Sequence, residues 1–198
     1  MNHLEGITSL RNHYYFLRHG QSQANVAGLI IAHMDNALDG YGLTAEGKQQ
    51  VETSVRESGL NGSTIIYSSD FARTKQSAEI ARKVLGSADI NFTTNLRERG
   101  FGDLEKQSDL HYDEVWQRDS QDPSHQHDGV ESVADLMDRA TGLIIELEHK
   151  YSGKTILLVS HGDVIMALLA AFAKVSAADY RQGEYPAQGE ISELLLAS

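Results

Sequence analysis

The chain has 198 residues, 40% hydrophobic and 23% charged, with 17 Lys and Arg against 28 Asp and Glu for a formal net charge of −11. This is the composition of one ordinary globular domain, not a disordered or low-complexity chain, and the acidic balance argues against partnership with nucleic acid or an anionic membrane. There is no cysteine, which excludes disulfides, thiolate metal sites and every cysteine-nucleophile mechanism. Residues 1–12 lack the basic start and apolar run of a signal peptide, and the longest apolar run, Val164 to Ala173, is short of the ~20 residues that span a bilayer. The expectation is therefore a soluble, cytoplasmic protein, in which the sequons at Asn61 and Asn91 are chance matches.

Tyr14 to Leu17 forms a short aromatic and apolar run that reads as a first strand, stopping at Arg18-His19-Gly20. Asn25 to Gly42, rich in Gly, Asn and Asp without periodicity, predicts a loop with at most one helical turn. Thr44 is a good N-cap for a helix running to about Ser58, ended by Gly59 and Gly62. Thr64 to Tyr67 predicts a second strand. Ser68, Ser69 or Asp70 could cap the helix that follows, whose apolar positions run from Phe71 through Thr74, Ala78 and Ala81 to Leu85.

Ile90 to Thr93 predicts a third strand, and Leu96 to Gly102 the loop after it. The polar stretch Glu105 to Asp128 holds a short helix around Tyr112 to Arg118, and a longer helix follows from about Glu131 to Lys150. Thr155 to Val159 is the clearest buried strand. It runs into Ser160-His161-Gly162-Asp163 and an apolar helix, and Ile191 to Leu196 predicts a last strand. Strands alternating with helices, without repeats or a linker, predict an α/β/α sandwich with a mostly parallel central sheet.

Two of these strands end in His-Gly, and sites in open α/β sheets lie beyond the carboxyl ends of strands, so His19 and His161 are expected to converge there. Arg18 stands beside one and Arg73 follows a third strand end. Two guanidinium forks, two imidazoles and helix N-termini after Gly20, Ser69 and Gly162 describe a phosphate pocket, with the glycines allowing close backbone approach. Imidazole can carry a covalent intermediate, but spacing does not say which histidine attacks.

Phe16-Leu17-Arg18-His19-Gly20-Gln21-Ser22-Gln23-Ala24-Asn25 resembles the signature of the histidine phosphatase superfamily, the phosphoglycerate mutase-like family. The family's further elements are matched in order by Leu43 to Gly47, Tyr67 to Thr74, Leu96 to Gly102, Gly129-Val130-Glu131-Ser132 and Val159-Ser160-His161-Gly162. The resemblance covers essentially the whole chain and implies a three-layer α/β/α fold. It also implies that His19 is the phosphorylated nucleophile and Glu98 the proton donor. Arg18, Asn25, Arg73, His161 and Gly162 would complete the phosphate pocket, with no metal or other cofactor.

The activity so implied is that of a histidine acid-type phosphatase, a phosphoric monoester hydrolase acting on a small phosphorylated metabolite; no oligomeric state follows. The alternatives are a cofactor-dependent phosphoglycerate mutase and a noncatalytic phospho-ligand binding protein. Resembling mutases have a longer segment after the Glu motif and an Asn after the second His-Gly, where this chain has Asp163. The segment Glu105 to Asp128 also offers only Lys106 and Arg118 to a second anionic group.

Weaker patterns carry less. Gly42 to Lys48 imitates a P-loop and Gly40 to Ala45 a dinucleotide fingerprint, but no strand precedes either. His111, His125 and His127 could ligate a metal but read as a solvated polar loop. Phe101, Tyr112 and Trp116 could form a lid over the substrate, or Trp116 could anchor its segment to the core.

Overall fold

The computed structural model describes residues 1–197. Five strands form one sheet: β1 His13–Arg18, β2 Ile65–Ser68, β3 Ile90–Phe92, β4 Thr155–Ser160 and β5 Ile191–Leu194, in the order β3-β2-β4-β1-β5. The first four strands are parallel and β5 joins β1 antiparallel, so the mostly parallel sheet is present with one reversed edge. The helices among the described residues are α1 Gln23–Ala27, α2 Met34–Ala37, α3 Ala45–Glu57, α4 Ala72–Leu85, α5 Tyr112–Gln121, α6 Val133–Lys150 and α7 Gly162–Phe172.

The period-two alternation of the strands divides the core. Tyr14 and Phe16 of β1 and Ile156 and Leu158 of β4 pack with α6 and α7. Leu17, Leu157 and Val159 face the other way, against Val51 and Val55 of α3 and Ala78 and Ala81 of α4. Central β4 therefore has apolar neighbours on both faces, which explains its unbroken hydrophobic run. No helix of the described residues is long and apolar enough to cross a membrane.

Two local expectations are corrected. Asn25 is helical, because Ser22 caps α1 and the Asn25 side chain closes a reciprocal capping box; this use of Asn in place of Glu or Gln hid the helix start. Beyond it the loop to Gly42 holds the one-turn helix α2, as the sequence allowed. Neither Ser68, Ser69 nor Asp70 caps α4, whose N-cap is Phe71 without side-chain help. Their polar groups are used elsewhere: Ser68 Oγ on the Ser69 carbonyl, Ser69 Oγ on His161, and Asp70 on Arg97.

Gly47 of the P-loop-like stretch serves packing, together with Gly20. A Cβ on Gly20 would run into the carbonyl of Gly47, and one on Gly47 into the backbone of Gln21, so α3 sits directly against the chain leaving β1. Both obstacles are backbone, which cannot swing aside as a side chain can. Gly20→Ala and Gly47→Ala are each expected to lower stability by about 1–3 kcal/mol, as overpacked cores do. The urea midpoint measures it; a wild-type midpoint in both variants overturns this reading of the contact.

Candidate active site

Parallel pairing of β1 with β4 sets Arg18 opposite Ser160, so the residues that follow, His19 and His161, emerge side by side. The His19 amide continues the ladder to the Ser160 carbonyl at 3.1 Å, and the Ser69 amide beyond β2 reaches the Val159 carbonyl at 3.1 Å. The imidazole centroids are 5.2 Å apart, with both rings buried. The two histidines therefore converge as the sequence leads one to expect.

Arg73, in the first turn of α4, lies buried between them. Its Nε is 3.2 Å from His19 Nε2 and 3.1 Å from His161 Nδ1, and its Nη2 donates to the Ile31 carbonyl at 2.9 Å. These partners assign the tautomers. His19 Nδ1 lies 2.8 Å from the Gly20 carbonyl and must donate to it, leaving Nε2 with a lone pair. His161 presents its lone pair at Nδ1, so its Nε2 donates to Ser69 Oγ at 3.0 Å.

Burial, then the charges of Arg73 and Arg18, push the His19 pKa well below the ordinary imidazole value. His161 is lowered in the same way, by burial first and then by Arg73 and His19. Both directions favour the neutral imidazole.

Arg18 donates to the Pro186 carbonyl at 2.6 Å and lies under the Tyr185 ring, 4.7 Å from its centroid. Arg18 Nε and Arg73 Nη1 are buried donors without a partner in the protein. Two guanidinium groups with unspent donors beside a neutral imidazole suit an incoming phosphoryl group. Gly162 opens α7 beside His161, contributing amide and dipole charge of the same sign, and a Cβ there would run into the Tyr185 hydroxyl.

Glu98, the proton donor that the resemblance implies, lies on the loop before Gly102. That loop is drawn over the sheet end by Ser160 Oγ, which donates to the Leu96 carbonyl at 2.8 Å. The flanking arginines turn away from the Glu98 carboxyl. Arg97 forms a two-pronged pair with Asp70 at 2.7 and 2.6 Å, and Arg99, fully buried, forms another with Asp119 at 2.6 and 2.7 Å. Burial and then the Asp163 carboxylate push Glu98 up to about 7, against the opposing pull of Arg73, the Arg99 amide and Arg18. A carboxyl so placed holds a proton it can donate near neutral pH.

Asn25 is exposed on α1, its side-chain oxygen accepting from the Ser22 amide and hydroxyl at 3.0 and 2.9 Å, and among the described residues no contact ties it to the histidines or arginines above. Only its amide nitrogen is left for a ligand. The His111, His125 and His127 group does not assemble: no cluster of three or more His, Cys, Asp or Glu able to hold a metal occurs among the described residues. His125, expected to be solvated, is largely buried and bonds Asp119 at 2.9 Å.

Of the two roles open to it, Trp116 shows the anchoring one. It stacks on Tyr112 at 5.1 Å, and its Nε1 donates to Asp163 at 3.3 Å, tying the aromatic wall to α7. Sequence reasoning missed Tyr185 and Arg181, which come from an irregular segment with no periodic signal. Asp163 was visible only as the neighbour of His161-Gly162.

This fold is shared by solved structures of other proteins. A mycobacterial glucosyl-3-phosphoglycerate phosphatase is 25% identical, with a TM-score of 0.76 over 91% of this chain and 88% of that one. Bacillus stearothermophilus YhfR is 23% identical, with a TM-score of 0.76 over 92% and 90%, a likeness of fold. Among curated relatives, the protein named "Probable phosphoglycerate mutase GpmB" of Salmonella paratyphi C is 33% identical over 90% of each chain. The family model of the histidine phosphatase superfamily (branch 1) matches residues 14–197, and the chain belongs to that superfamily.

An unperturbed imidazole would be half protonated at pH ~6.5. The imidazole resonances of His19 and His161, assigned through His19→Gln and His161→Gln, are expected to keep neutral-tautomer shifts from pH 8 down to about 5.5. Protonation of either ring near pH 6.5 in the free protein overturns this account of the Arg73 cluster.

Proposed function

We propose that this chain is a single-domain, cytoplasmic phosphomonoesterase that needs no metal and works through phosphohistidine at His19 on a small phosphorylated metabolite. The observation that carries the reading is the lone pair of His19 Nε2 held among buried, unspent guanidinium donors, with the proton-holding Glu98 close by. Arg18, Arg73, the Asn25 amide and the start of α7 at Gly162 grip the phosphoryl oxygens. His161 keeps its Nδ1 toward Arg73 and, with it, the pocket in register.

In the first half-reaction His19 Nε2 attacks phosphorus while the ester P–O bond breaks, and the departing oxygen takes the Glu98 proton. In the second, the Glu98 carboxylate accepts a proton from water, the water oxygen bonds to phosphorus, and the P–N bond breaks. Free phosphate leaves with His19 and Glu98 restored. The two arginines and the helix dipole stabilise the charge on the transferring group throughout.

The name carried by the Salmonella relatives favours a second reading, phosphoglycerate mutase, in which a second hydroxyl takes the place of water. That reaction needs cations for a carboxylate and a second phosphate. Here Arg97 is committed to Asp70, Arg99 to Asp119, Arg139 to Glu131 and Arg181 to Asp163. In the segment Glu105 to Asp128, Arg118 is held by Glu114 and Asp128, and Lys106 is exposed. This distribution favours an uncharged alcohol half and water as acceptor. A noncatalytic binder would have no use for the neutral nucleophile or for Glu98.

Rapid mixing with labelled phosphomonoester and an acid-free quench is expected to trap an acid-labile, base-stable adduct that His19→Ala loses; full labelling of that variant sinks the assignment. In a panel of esters, phosphate release should dominate, and efficient interconversion of 2- and 3-phosphoglycerate without release would decide for the mutase. Phosphate release should also survive EDTA, because the arginines and helix N-terminus supply the charge a divalent ion would bring. Activity abolished by chelation and restored by zinc or magnesium rejects the mechanism. Finally, Glu98→Gln should slow phosphoenzyme formation from an alkyl phosphate by roughly 10²–10⁴-fold, and far less from p-nitrophenyl phosphate, whose leaving group departs unprotonated. Equal, small effects on that step remove Glu98 from the mechanism.

A further inference from the structure

The irregular segment between α7 and β5 brings a phenol to the phosphate pocket. The Tyr185 hydroxyl occupies the space that a Cβ on Gly162 would need. It therefore lies against the first residue of α7, where amide and dipole charge gather. The Tyr185 ring lies at Arg18, whose guanidinium carbon is 4.7 Å from the ring centroid. One side chain thus touches two of the groups that the site offers to an anion.

The contacts that fix the ring leave its hydroxyl unused. The Arg181 guanidinium carbon is 4.6 Å from the Tyr185 centroid and 3.4 Å from that of Trp116, and the Trp116 and Tyr185 rings are 6.1 Å apart. Asp163 in turn accepts from Arg181 Nη1 at 2.9 Å. At the next residue, the Pro186 carbonyl accepts from Arg18 Nη1 at 2.6 Å, so the guanidinium that is to meet the anion also anchors the backbone carrying the phenol. A guanidinium laid on a ring spends none of its in-plane N–H donors on that contact.

The neighbouring phenol of Tyr180 donates toward Asp119 and Asp163 at 3.2 and 3.4 Å, whereas the Tyr185 hydroxyl has no hydrogen-bond partner among the described residues. A phenol of pKa ~10 keeps its proton at neutral pH, and so is a donor. Arg18 Nε and Arg73 Nη1 are also left without partners. Unspent donors thus come from the end of β1, the first turn of α4 and the segment before β5, as suits a tetrahedral anion that accepts on several oxygens at once.

We propose that Tyr185 is a phosphoryl-binding residue, donating its hydroxyl to a non-bridging oxygen of the substrate phosphate beside Gly162. The inference rests on the phosphatase reading of the site. Gly162 then serves it twice, by opening α7 and by leaving room for this donor.

Tyr185→Phe removes the hydroxyl and keeps the ring at Arg18. Its melting temperature should match the wild type, because no hydrogen bond within the protein is lost. Inorganic phosphate and orthovanadate, tested as competitive inhibitors of ester hydrolysis, should each bind about tenfold more weakly, the order expected for one hydrogen bond to a charged group. Wild-type inhibition constants in Tyr185→Phe overturn the proposal, even where Tyr185→Leu binds weakly, for the ring would then serve only to place Arg18. A lowered melting temperature in Tyr185→Phe also overturns it, by showing that the hydroxyl is spent within the fold. The phosphatase reading is judged on the wild-type enzyme alone: failure to form phosphohistidine refutes that reading. A wild-type enzyme that forms it, beside a Tyr185→Phe variant with unchanged inhibition, refutes only the role of Tyr185.

Discussion

Arg73 is a guanidinium buried without a carboxylate, and much of the site is arranged around that fact. Removing a charge from water is costly unless hydrogen bonds replace the lost solvation. Here Nε lies between the His19 and His161 rings and Nη2 takes the Ile31 carbonyl, leaving Nη1 unspent. One cation thereby fixes the lone-pair positions of two imidazoles, adds to burial in disfavouring their protonation, and fastens the segment around Ile31 over the sheet end. The apolar packing of Ile31 with Ala24, Ala37 and Phe71 gives that segment a footing of its own.

The cluster can exist because three neighbouring parallel strands deliver their carboxyl ends together. In the order β2-β4-β1, the residues just beyond are Ser69, His161 and His19. Register is pinned by the two apolar faces of β1 and β4. A slip of one residue would turn Phe16 and Leu158 toward α3 and α4, and Leu17 and Val159 toward α6 and α7. The cost of exchanging those well-packed sets is what keeps two imidazoles 5.2 Å apart. Core packing and catalytic geometry are in this sense one constraint.

The arginines divide into two groups by their partners. Arg97, Arg99, Arg139 and Arg181 are each matched to a carboxylate, and their bonds tie loops and helices to one another. Arg18 and Arg73 instead spend donors on backbone carbonyls and imidazoles and retain others. A chain of net charge −11 thus keeps two guanidinium groups with unspent donors at the sheet end. The two arginine neighbours of Glu98 in sequence are both turned elsewhere, and burial is the first cause that raises its proton affinity.

The sequence by itself determined the alternation of strands and helices, the parallel sheet and the convergence of His19, His161, Arg18 and Arg73. Each of these follows from local periodicity or from a residue's place at a strand end. It also carried the family, through motifs in a fixed order. It did not determine which elements received Ser69, Asp70 or Asn25, because their short polar side chains serve caps, ion pairs or histidines equally well, and the choice depends on what folding brings within reach. Tertiary structure alone decided that Arg97 and Arg99 turn to Asp70 and Asp119, that His125 is buried against Asp119, and that Tyr185 covers Gly162. Most of these pairings join residues twenty or more apart in the chain, and the energies of all of them come from burial and charge, which no local pattern records.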